Sequence, residues 1–127
     1  MAIAILFLLG MALVLAVIAT RIPPAIPVGG DPNEIGLAPR QPSEEGALKS
    51  PASDTVTRVR FENRSTRELD LYWLDFEGNR KHYGSIAAGA EIAQPTYVGH
   101  AWLLADRSGE GVAIFVADRA PGLAVVH

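Results

Sequence analysis

Cysteine is absent from the 127 residues. That excludes disulfides, thiol catalysis and cysteine-ligated zinc. It leaves the redox compartment open, since a cysteine-free chain suits either side of a membrane. A basic excess is missing too: 11 Lys and Arg stand against 14 Asp and Glu, for a formal net charge of −3. Nucleic-acid binding calls for a basic domain, so that class of partner is excluded. Catalytic patterns are equally scarce. The histidines at 82, 100 and 127 do not form an H-x-x-x-H ligand pair, and no glycine-rich phosphate loop occurs. Ser85 and Ser108 fall in turn-like stretches, without the strand–turn–helix elbow that exposes a nucleophile. Asp75 and Glu77 are two apart, but read better as solvated charges than as an acid–base pair. No cofactor or metal is expected.

Two further absences divide the chain. Residues 1 to 20, MAIAILFLLGMALVLAVIAT, carry no charge. As a helix they would be roughly 30 Å long, enough to cross a bilayer. An uncleaved N-terminal anchor is expected, with a cleaved signal as the alternative because Val17 and Ala19 offer a small-residue cleavage pattern. The β-rich remainder is expected outside the cytoplasm, although Arg21 read by the positive-inside rule argues the other way. Residues 21 to 55 have no aromatic and hold seven of the nine prolines: 23, 24, 27, 32, 39, 42 and 51. They show no sustained period of 2 or 3.6, and are expected to be a disordered tether.

Residues 56 to 127 hold every Trp and Tyr and read as strands. VTRVRFE alternates, with Val59 and Phe61 on one side and Arg58, Arg60 and Glu62 on the other. ELDLYWLDF passes to the next strand through Gly78-Asn79, IAAGAEIA turns at Gly89, and HAWLLAD, VAIFVAD and LAVVH complete the set. The expected fold is all-β, a small antiparallel β-sandwich preceded by the membrane helix and the linker.

Trp, Tyr and His concentrate between residues 72 and 102. In so small a domain two tryptophans would ordinarily serve the core. His100 and Trp102 are two apart in YVGHAWLLAD and would share one side of a strand. A second argument comes from the motifs. RVRFENRS, YWLDFEGNRKHYGSIAAG and TYVGHAWLLAD, spaced without gaps from Phe61 to Asp106, together resemble the β domain of the von Hippel-Lindau tumour suppressor family. The resemblance covers residues 58 to 116 and is looser towards His127.

The resemblance implies a β-sandwich that binds a hydroxyproline in an extended peptide. Carried over by position, its pocket would be Trp73, Tyr83, Thr96, His100 and Trp102. Thr96 replaces the family's usual serine and keeps the hydroxyl. Aromatic faces would pack the pyrrolidine ring, while Thr96 and His100 bond its hydroxyl. The family's helical ubiquitin-ligase adaptor domain has no counterpart here, so that partner is not expected. The expected function is a membrane-tethered module binding a protein or peptide. The alternative is a structural or assembly module whose aromatics are core. An enzyme, such as a hydrolase using His100 with Asp106, ranks third. Burial separates the first two: one open cleft favours binding, and full burial favours core.

Overall fold

The computed structural model describes residues 30–127. The expected membrane helix over residues 1 to 20 lies outside the described residues, as does the start of the expected linker. Among the described residues, no helix is long and apolar enough to cross a membrane.

Among the described residues, eight strands form two four-stranded sheets. They are β1 (Ile35–Gly36), β2 (Val56–Asn63), β3 (Leu69–Leu74), β4 (Arg80–Ile86), β5 (Glu91–Tyr97), β6 (Ala101–Ala105), β7 (Gly111–Val116) and β8 (Gly122–Val126). One sheet has the order β1-β8-β2-β5, the other β4-β3-β6-β7. The alternation of β2 holds: Val59 and Phe61 are buried between the sheets, while Arg58, Arg60 and Glu62 line the outer face. Phe61 meets Trp102 at 6.1 Å and Phe115 at 6.3 Å between ring centroids, so three aromatics centre the core. Two hairpins are closed alike. Asp75 Oδ1 accepts from the backbone N–H of Glu77 and Asn79, and Asp106 Oδ1 from those of Ser108 and Glu110. Asn63 closes β2 by donating to the carbonyls of Arg67 and Ile86 and accepting from Ser65.

Two expectations are corrected. The sandwich is not wholly antiparallel, because β8 runs parallel to both β1 and β2. After β7 the chain crosses to the other sheet and enters it alongside β2 in the same direction.

The tether expected over residues 21 to 55 does not extend that far. Residues 31–55 belong to the same compact unit as the sandwich and wrap it as a strap. Glu34 forms a two-point ion pair with Arg60 (2.6 and 3.1 Å), and Glu45 does so with Arg80 (2.7 and 2.8 Å). Arg40 exchanges two backbone bonds with Ile114 of β7, and a single 3-10 turn follows at Pro42–Ala47. Three strap side chains sit where the sandwich has no Cβ: Leu37 over Gly122, Pro42 over Gly111 and Pro51 over Gly99. A methyl at any of these glycines would lie within 3 Å of the strap. The strap is needed because β6 is buried on both faces. Trp102 and Leu104 face the other sheet. Leu103, with Leu74, Ala101 and Ile114, forms an outer cluster against which Leu48 of the strap packs.

Candidate functional site

The five residues singled out from the sequence line one open cavity of about 180 Å³. It lies where the two sheets part, at the β4 and β5 edges. Trp73 of β3 and Trp102 of β6 are directly paired across their strands, so their side chains leave the same face of the sheet. Tyr83 arrives by a bulge. The pairing of β3 with β4 slips between Leu71–Gly84 and Tyr72–His82, leaving Tyr83 as the extra residue. A bulge re-aims a side chain, and the Tyr83 ring ends edge-on to Trp102 at 5.0 Å and to Trp73 at 6.4 Å. Thr96 comes from the opposite sheet. Within that sheet it pairs with Thr57 of β2, and its buried side chain meets the β6 tryptophan. His100 precedes β6 rather than lying in it. The turn at Gly99 (φ 86°) swings it over Trp73, ring on ring at 5.4 Å and 29°.

Three wall residues were not singled out from the sequence: Phe76, Pro95 and Tyr97. Phe76 is 57% exposed, Tyr83 46% and Tyr97 42%, so the rim is a group of half-wet aromatics. Phe76 lies edge-on to Trp73 at 5.1 Å. An available signal was the run of rings around WLDF and TYVGH. Grouped exposed apolar surface of this kind marks a contact site more often than a chance arrangement.

The polar floor is specific. Trp102 Nε1–H donates to Thr96 Oγ1 at 3.0 Å in a buried setting. Among the described residues, the Thr96 hydroxyl donates to nothing, so its proton is available to an occupant. His100 is differently placed. Trp73 Nε1–H points at Nδ1 (3.2 Å), and Nε2 faces the Pro51 carbonyl (3.0 Å). An indole N–H can only donate and a carbonyl can only accept. The imidazole is therefore neutral, with its proton on Nε2. Burial holds its pKa below the usual imidazole value, against a smaller opposing pull from the Pro51 carbonyl. Both ring nitrogens of His100 are thus engaged within the protein.

The strap builds this arrangement. Ser50 is buried and makes three bonds. Its N–H donates to Asp75 O (3.1 Å), its hydroxyl to Leu74 O, and its Oγ accepts from the Ala101 N–H (3.0 Å). It ties the end of β3 to the start of β6 and delivers the Pro51 carbonyl to His100.

Apart from His100, the groups considered for catalysis lie elsewhere. Asp75 and Asp106 are turn caps, and Asp106 pairs with Arg67 rather than His100. Asp70, His82 and Ser85 do meet on the outer face of β3 and β4. However, Asp70 Oδ1 stands between the other two, at 2.6 Å from Ser85 and 3.3 Å from His82. A nucleophile relay needs the histidine in the middle. No group of three metal-ligating side chains occurs among the described residues.

Fold and cleft define a small β-sandwich with an aromatic-walled recess at one sheet edge. A model of the VHL beta domain matches residues 48–118, more than half of the chain, and the chain belongs to that family. The match begins inside the strap, just ahead of Ser50. A search of the curated proteins returns no match.

Proposed function

We propose that the chain is a non-enzymatic binding module whose cleft takes an extended peptide and packs a 4-hydroxyproline of that peptide against Trp73, Tyr83 and Trp102. The observation that carries this reading is the Thr96 hydroxyl. Trp102 fixes its oxygen, its proton is uncommitted, and it lies at the floor of a recess with aromatic walls. The apolar faces of a pyrrolidine ring fit such walls, and its hydroxyl would accept a hydrogen bond from Thr96. Strands β4 and β5 are sheet edges beside the cleft, so a ligand in strand conformation has backbone groups to pair with. Family membership supports a peptide ligand in general. The hydroxyproline itself rests on the cleft chemistry and on the family resemblance. Titration calorimetry with a hydroxyproline peptide and its proline counterpart tests it. A preference for the hydroxylated form is expected, and equal affinities would sink the reading.

A second reading has its own observation. Trp102 is only 2% exposed and touches Phe61 in the core, as in an assembly module with no pocket. The variant Tyr83→Ala separates the two, because Tyr83 is half exposed. A binding cleft loses affinity with the fold intact, whereas an assembly module loses neither. We further propose that residues 1 to 20 tether the module to a membrane, with the sandwich outside the cytoplasm. Protease protection of closed vesicles tests the side, and alkaline extraction separates an anchor from a cleaved signal.

A further inference from the structure

The polar groups of the cleft are not equally open to an occupant. Thr96 has a proton to give at once. His100 can accept nothing until a bond is broken, because Trp73 already donates to Nδ1 at 3.2 Å. The two partners of that bond differ in what they lose when it breaks. Trp73 is only partly buried on the cleft wall, so its displaced N–H depends less on a protein partner than Nδ1 does. His100 is 6% exposed, so Nδ1 depends on a donor from the protein or from the ligand.

We propose that Trp73 sets the selectivity of the cleft by supplying His100 with a donor whenever the ligand brings none. This rests on the peptide reading above. A ligand hydroxyl that reaches Nδ1 replaces one donor by another and gains little there. A ligand without the hydroxyl leaves the Trp73–His100 bond in place, and no buried nitrogen is stranded. Selectivity in sites built around a hydroxyl comes mainly from groups left unpaired by the wrong ligand. Here Trp73 removes one such group, so discrimination falls largely to Thr96 and the unmodified proline is tolerated. Trp73 is a specificity-determining residue whose N–H blunts the preference, apart from what its ring contributes to packing.

The test uses the full chain and has two arms. Without ligand, nitrogen NMR reads coupling across the hydrogen bond between Trp73 Nε1 and His100 Nδ1, and the protonation of Nε2. Coupling with Nε2 protonated is expected; an Nδ1-protonated ring or absent coupling overturns the inference. In the second arm, calorimetry compares a hydroxyproline peptide with its proline counterpart on the wild type and on Trp73→Phe. Loss of general packing falls on both peptides and cancels in their ratio. The preference for the hydroxylated peptide is expected to rise about tenfold in Trp73→Phe, where Nδ1 goes unpaired under an unmodified proline. An unchanged or smaller ratio, with both peptides bound, overturns the inference and leaves the peptide reading standing. Binding of neither peptide to the wild type overturns the peptide reading, and the role of Trp73 with it.

Discussion

The strap side and the cleft side of strand β6 are built from similar parts and left in opposite states. Under the strap, Ser50 spends its N–H, its O–H and its oxygen on three backbone partners, and Leu103 is completely covered. In the cleft, Thr96 spends only its oxygen, and the rings around it are half wet. A hydroxyl with every capacity used is construction. One with capacity left over, among exposed aromatics, is equipped for recognition. The contrast makes predictions that differ in size.

Removing the strap carries the largest effect. A fragment of residues 56–127 keeps all the long strands but uncovers Leu74, Leu103 and Ile114. Each such side chain contributes roughly 1.5–3 kcal/mol by burial, while a domain commands only about 5–15 kcal/mol in total. Residues 31–127 are expected to melt cooperatively by circular dichroism and residues 56–127 are not. A cooperative melt of the shorter fragment would mean the strap is dispensable. Next comes Ser50→Ala. It strands the Leu74 carbonyl and the Ala101 N–H in a buried place, at about 2–4 kcal/mol in a denaturant titration. A cost under about 0.5 kcal/mol would dissolve the contrast between the two hydroxyls.

Thr96→Val is expected to cost less, about 1–3 kcal/mol, since it strands only the Trp102 N–H. Its signature is coupling. Adding Trp102→Phe removes the stranded donor, so the double variant should be less destabilised than the two single costs added together. Strict additivity would show that the 3.0 Å bond contributes nothing. The same Thr96→Val chain should lose its preference for a hydroxylated peptide.

The strands from β2 onward were legible because VTRVRFE alternates with a period of 2 and the others are short apolar or β-rich runs between turn signals, and the rings were legible because they recur at family spacing. The strap was not, and the reason is physical. It is held by single anchors, Leu37, Pro42, Leu48 and Pro51, each seated on a glycine or a small cluster, and by isolated backbone bonds such as Arg40 to Ile114. Such anchors leave no period, and two of the prolines that suggested disorder, Pro42 and Pro51, are themselves packed groups. The same gap hid the state of His100. Its bond to a ligand hydroxyl was implied by the family resemblance, but the residues that engage its nitrogens lie 27 and 49 positions away. Strand parallelism was equally hidden, because the LAVVH pattern is identical in either direction.

Acid should act on the cleft through His100. Its folded pKa lies below the ordinary imidazole value. Between that lowered value and about 6.5 the unfolded chain holds a proton that the folded chain refuses. Stability therefore rises with pH across this window, is fully present above it, and is lost as pH falls through it. Protonation would put a second N–H on Nδ1, facing the Trp73 N–H. Denaturation midpoints at pH 7.5 and 5.5 check the direction, with His100→Gln as the control that should flatten the difference. A fall of equal size in the control would assign it to groups other than His100.

The smallest effect on the fold belongs to Phe76. It is the most exposed ring of the rim, and its recorded ring contacts are edge-on ones with Trp73 and His100. Surface substitutions away from caps and buried networks usually stay within about 0.5 kcal/mol, and Phe76→Ala should do so. Its value is that it parts the two regions most cleanly. A residue retained only for construction has no reason to leave a large apolar face in water. A residue that waits for an occupant does, because covering that face on binding contributes roughly 25 cal/mol for each Å² removed from solvent. Phe76→Ala should therefore leave the melting curve in place and weaken peptide binding severalfold, by tests on the same preparation. An unchanged affinity would confine the cleft to its buried floor of Thr96, His100 and Trp102. A large drop in stability would move Phe76 to the side of Ser50, as part of the structure that holds His100 in place.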